Sequence, residues 1–182
     1  MNVLVRDATD PVAAAVRMLP WEDYLACCWA VCDSVWRAYS GDEVEPFADL
    51  VTDSLSTLRL WLADGISDFG SLEERWERVS EDIREGRLPG LINLRTVAYV
   101  LCTEMTGTSR NYASIGSLFL PIVNWRLGRE HHDKGFFSVN ARVMDLDSPE
   151  YRCLQAIREL AEDLLRRGRG AVLENPPLLV LG

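Results

Sequence analysis

The chain is short of lysine, histidine and long uncharged stretches. Lys134 is its sole lysine, and His131 and His132 are its two histidines, adjacent to each other. Two neighbouring imidazoles exclude metal centres that draw histidines from several helices. No Glu-x-x-His pair exists for a di-iron bundle either. The longest uncharged run near the middle, Asn111 to Trp125, is too short to span a bilayer and contains Pro121. The opening residues, Met1 to Asp7, lack the basic-then-apolar pattern of a secretory signal, so the expectation is a cytoplasmic, non-membrane protein. Five cysteines, an odd number at irregular spacing, fit reduced thiols better than a disulfide framework. Phosphate-cradling Gly-x-Gly-x-x-Gly and P-loop motifs are absent. With a net charge of −9, the protein is also a poor candidate for neutralising nucleic-acid phosphates.

The chain does have the means for a core. Its 182 residues, 48% of them hydrophobic and 26% charged, fit one ordinary globular domain spanning 1–182. Helical punctuation dominates. Asp10-Pro11 reads as an N-cap and first-turn proline, opening a helix that stops before Pro20. Trp21, Leu25, Cys28, Cys32, Val35 and Tyr39 follow at alternating spacings of four and three, widened by Trp29 and Trp36, with Gly41 as the stop. A third helix from about Pro46 to Asp64 turns Phe47, Leu50, Val51, Leu55, Leu58, Trp61 and Leu62 inward before Gly65. Ser71 and Glu74 form a capping box for a surface helix ending at Gly86. Leu91 to Met105 reads as a central buried helix, and Tyr112 to Leu127 as one broken by Gly116 and Pro121. Ser148-Pro149 opens a last long helix with Tyr151, Leu154, Ile157, Leu160, Ala161, Leu164 and Leu165 inward. Arg166 and Arg167 close it before Gly168.

One segment has a different period. Phe137, Val139, Ala141 and Val143 alternate with polar residues, as a strand does. The apolar ends, Val3 to Val5 and Leu178 to Leu181, are available to pair with it. The fold class implied is a mainly α bundle of six to seven helices, with a small β element near 136–144 and the termini.

Motifs for chemistry fail one by one. His132-Asp133, within Glu130-His-His-Asp133, is the dipeptide of the HD phosphohydrolases, but the further histidines of that site do not exist here. Glu74-x-x-Glu77 and Glu159-x-x-Glu162 with Asp163 resemble the carboxylate pairs of magnesium-binding all-α pyrophosphohydrolases. Their separation along the chain is long for that pattern, and Glu77 lies between Arg75 and Arg78 as on a solvated face. Tyr112-Ala-Ser-Ile-Gly116 lacks the first glycine of a nucleophile elbow. The cysteines fall at mostly apolar helical positions and read as small core residues. No catalytic constellation, cofactor or metal site is implied. The polar turn from Thr106 to Asn111 offers Arg110 as a candidate anion contact, with an ordinary interhelical loop as the simpler account.

Charge carries the remaining signal. Residues 1–92 hold 8 of the 19 basic and 18 of the 28 acidic side chains, so the second half is close to neutral. The acidity is densest at Asp42, Glu43, Glu45, Asp49 and Asp53, the last three sharing one helix face at i, i+4 and i+8. Like charges at that spacing cost a few tenths of a kcal/mol per pair, partly offset near a helix N-terminus. A merely solvated face explains such a row. So does a docking surface for a basic protein, whose association the field would speed. These observations imply a non-catalytic protein-binding module, in its most concrete form a bacterial immunity or antitoxin-type protein. The alternative is a helical small-molecule site lined by Trp and Tyr from the second and fifth helices, and less so a metal-dependent phosphohydrolase.

Overall fold

The computed structural model describes residues 1–38, 45–65, 70–72, 74, 75, 78, 81, 143–177 and 179. The helices expected at 91–105 and 112–127, the alternating residues 137–142, and Arg110, His131 and His132 lie outside the described residues.

Two three-residue strands, β1 (Asn2–Leu4) and β2 (Val143–Asp145), pair antiparallel with Val3 opposite Met144. Five helices stand among the described residues. They are α1 (Val5–Arg17), α2 (Trp21–Ala38), α3 (Glu45–Asp64), α4 (Pro149–Arg167) and α5 (Arg169–Glu174). The described positions between 70 and 81 are helical as well. The architecture is a mainly helical bundle with a small antiparallel sheet. Helix α1 packs on α4, while α2 is central, packing on α3, α4 and α5.

The structure corrects the sequence reading of α1. The helix begins at Val5, so Asp10-Pro11 is not its start and Pro11 stands inside it. Pro11 has no N–H to donate to the Asp7 carbonyl, a defect worth about 3 kcal/mol in a helix interior. The buried stripe Ala8, Val12, Val16 and Leu19 explains why the helix continues through it. Each fully buried valine contributes roughly 1.5–3 kcal/mol, and Ala8 joins the stripe only if the turn before Pro11 is helical. Helix α2 buries more than its expected seam. Leu25, Cys28 and Trp29 are buried, and so are Tyr24, Ala26, Cys27, Ala30 and Val31, because the helix is covered on several sides. The side chains of Cys32, Val35 and Trp36, and all of Tyr39, lie outside the described residues. The Trp29 indole N–H donates to the Leu55 carbonyl at 2.9 Å and ties α2 to α3.

Helix α3 runs as expected. Leu50, Val51, Leu55, Leu58 and Leu62 face the core, and Trp61 is half-buried. Gly65 closes it at φ +71°, where its N–H reaches the Trp61 carbonyl at 2.8 Å. Only glycine takes such a left-handed stop at no steric cost. Ser71 is not the N-cap expected of it, because Gly70 is already helical. Leu72 behind it is buried in the common core, and that anchor outweighs the local capping preference.

The entry to α4 fulfils its sequence signal. The Ser148 hydroxyl accepts from the Tyr151 N–H at 3.2 Å and donates to the Asp145 carbonyl at 2.6 Å, with Pro149 in the first turn. Leu154, Ile157, Leu160, Ala161 and Leu164 are buried, but Leu165 is not: it is 48% exposed. The 3.6-residue turn carries position 165 past the edge of the apolar stripe. Nor is α4 the last helix. Its final carbonyls are closed at Gly168, and α5 starts at the next residue to bury Val172 and Leu173.

In the small sheet the core-facing pair is Val3 and buried Met144, while the Val143 side chain lies outside the described residues. Val5, expected in a strand, begins α1, and Leu179 at the other end of the chain lies outside any strand.

Candidate functional site

Helix α3 displays the acidic row, because its other side is fixed in the core. With Leu50, Leu55, Leu58 and Leu62 buried, Asp49 and Asp53 emerge exposed, one turn apart. Glu45 is the first residue of the same helix, near the positive end of its dipole. Asp42 and Glu43 lie outside the described residues. The row has a counter-charge that the sequence reading missed. Arg75 Nη1 sits 2.6 Å from Asp53 Oδ2, although 22 residues separate them. No local spacing signals such a pair, since the meeting depends on how the 70–81 segment lies against α3. Exposed pairs of this kind contribute roughly 0–1 kcal/mol, so Asp53 remains available to another cation.

The basic cluster Arg166 to Gly170 is internally balanced. Arg166 and Arg167 both donate to the Asp163 carboxylate. Their hydrogen bonds, Arg167 first, hold that carboxyl below the usual carboxylate range, and Asp163 in turn raises Arg167. Arg169 donates to the Leu62 carbonyl at 3.0 Å and approaches Asp23 at 3.7 Å, bracing the end of α3 against α2. These guanidiniums are spent on the chain's own carbonyls and carboxylates. Of the carboxylate pairs, Asp163 accepts from two arginines, Glu162 accepts from Arg158 at 2.8 Å and Glu74 stands exposed, while Glu77 lies outside the described residues. Among the described residues, no group of three or more His, Cys, Asp or Glu could hold a metal ion.

The described aromatic rings of α2 belong to the core or its edge, while the Trp36 side chain and the expected fifth helix lie outside the described residues. Tyr24 and Trp29 are buried in the core, with the Trp21 and Tyr24 rings 5.2 Å apart. Two clefts formed by described residues have no aromatic wall. One, of about 920 Å³, lies between α4, the end of α2 and the chain beyond α5, lined by Arg37, Glu159, Asp163, Arg166 and Pro177. The other, of about 770 Å³, is lined by Arg59, Leu60, Asp64, Arg169 and Leu173 where α3 meets α5.

Cys27, Cys28 and Cys153 are buried and outside any disulfide, as small core residues should be. Burial, then the neighbouring Cys28, pushes the Cys27 thiol well up, which disfavours the nucleophilic thiolate. Asp33 is a half-buried carboxylate, with Arg37 Nε 2.7 Å from its Oδ2 in an ion pair that lacks the alignment of a hydrogen bond. Burial raises its pKa, while Arg37 and Arg59 pull it back. Among the described residues, no helix is long and apolar enough to cross a membrane. No protein-family model, curated protein or solved structure matches the chain.

Proposed function

We propose that this chain is a non-catalytic protein-binding module of the immunity or antitoxin type, which docks a basic partner protein on the acidic face of α3. The observation that carries the reading is the exposure of Asp49 and Asp53 on one side of a helix whose opposite side is locked into the core. Such carboxylates are presented without further ordering, which lowers the cost of association. The net charge of −9, concentrated in the first half, supports long-range steering of a cationic surface. Arg75 is a built-in competitor for Asp53, so a partner arginine gains most at Asp49 and Glu45.

The test is binding to the product of the adjacent gene, since an immunity protein is encoded beside its toxin. Co-expression, purification and titration at several salt concentrations measure the affinity. Glu45→Lys with Asp49→Lys should weaken binding about 10–100-fold, mainly through the association rate, and flatten the salt dependence. Absence of binding, or binding indifferent to both salt and the reversal, overturns the proposal.

A further inference from the structure

The exposed side of α3 does not end with its acidic row. Asp49, Asp53, Ser56, Leu60 and Ala63 are all exposed. At 3.6 residues per turn they fall within about 80° of one another, in one continuous stripe along the helix. The stripe changes character on the way. Two carboxylates at one end give way to Leu60, which is 55% exposed, and then to Ala63. A lone exposed leucine is ordinary, but Leu60 stands on the wall of the cleft of about 770 Å³ where α3 meets α5. Ala63 and the buried Leu62 and Leu173 line the same cleft, and the exposed Asp64 and Glu174 give it a polar rim.

The walls of this cleft are braced against each other. Arg59 of α3 donates through Nε to the Leu173 carbonyl, and Arg169 of α5 donates through Nε to the Leu62 carbonyl, both at 3.0 Å. These reciprocal ties fix the separation of the two helices, so a side chain entering between them meets a preformed space. An apolar pocket inside a polar rim is also the usual anatomy of a protein-binding anchor point. We infer that the docking surface on α3 is bipartite: its acidic end receives a cation, and the cleft at Leu60 receives an apolar side chain of the same partner. The inference rests on the reading of the acidic face as a docking site for a basic protein, and it adds the chemistry of the segment that binds. Seven residues separate Asp53 from Leu60, which is about 10 Å along a helix. The occupant is therefore an amphipathic helix of the basic partner, carrying arginine or lysine two turns from a large apolar residue on one face. Charge complementarity selects such a partner over a second copy of this chain, whose net charge of −9 would set like charges against each other.

Binding kinetics with the adjacent gene's product, measured for variants at Leu60, test the inference. Leu60→Gln should weaken binding about tenfold through faster dissociation, with the association rate and the salt dependence kept. Leu60→Asp is the sharper variant, because charge alone predicts the opposite sign: one more carboxylate on the face tightens binding to a basic protein. A filled cleft requires that it weaken binding about 10–100-fold instead. Position 60 is exposed, so the urea midpoints of both variants should stay close to that of the parent. Leu60→Asp binding as tightly as the parent or tighter, while Glu45→Lys with Asp49→Lys weakens binding, overturns the inference and leaves the acidic row as the whole docking surface. Absence of binding to the parent chain overturns both the inference and the reading on which it rests.

Discussion

Replacing Trp29 by phenylalanine isolates the link between α2 and α3. Trp29 is 3% exposed, and its indole N–H reaches the Leu55 carbonyl at 2.9 Å. As a helix-interior acceptor, that carbonyl retains its bond from the amide four residues on, so the variant leaves no buried orphan. The lost hydrogen bond is therefore worth the modest net value of about 1 kcal/mol. The smaller ring vacates roughly 40 Å³, which at about 24 cal/mol per Å³ of residual cavity adds about 1 kcal/mol. Trp29→Phe should cost about 2 kcal/mol and lower Tm by roughly 4–8 °C for a chain of this length. Trp29→Ala should cost about 3–5 kcal/mol. Urea titration followed by far-UV circular dichroism is the assay, since five other tryptophans would blur fluorescence. The midpoint should fall at constant slope. A loss below about 0.5 kcal/mol for Trp29→Phe would refute the reasoning, because a tryptophan lining an open ligand site is dispensable for folding.

Other outcomes follow from single contacts. Ser148→Ala removes the cap of α4 and should cost about 1 kcal/mol by urea titration. Leu164→Ala should cost about 2–5 kcal/mol while Leu165→Ala stays within about 1, a contrast between adjacent residues that reads the rotational phase of α4. On acidification, Asp163 and Asp145 act together. Arg167 and Arg166 lower Asp163, and the Asp147 N–H, then the N-terminal amine, lower Asp145. Their folded pKa values lie below the unfolded value of about 3.9, so their stabilisation is complete above that pH and lost as pH falls through the folded values. Asp33 runs the other way. Its raised pKa supplies stability below about 3.9 that fades as pH rises through its folded value. Urea midpoints against pH should thus show a flatter acid limb in Asp163→Asn, and a smaller decline above pH of about 4 in Asp33→Asn.

Several features of the fold were legible because they depend on neighbours along the chain. The cap Ser148-Pro149, the core face of α3 and the glycine stops at 65 and 168 are set by residues within one or two helical turns. The acidic row was legible for the same reason: i, i+4 spacing on a helix places Glu45, Asp49 and Asp53 on one face whatever lies opposite. Where the sequence reading failed, a distant contact had overruled a local preference. Pro11 looks like a helix start, but burial of Ala8 carries α1 back to Val5.

By itself, then, the sequence determined the helical periods, most of their ends and the sign of the charge on α3, because backbone capping and amphipathic spacing are short-range properties. Only the tertiary structure decided which charges are free and which are consumed. Arg75 meets Asp53 across 22 residues, and Arg169 meets Leu62 across 107. Ser34 and Leu179 are 145 residues apart, yet one hydroxyl serves both backbone groups of that leucine. Such partners are chosen by the packing of helices onto one another, a global balance of burial against desolvation that no window of sequence contains.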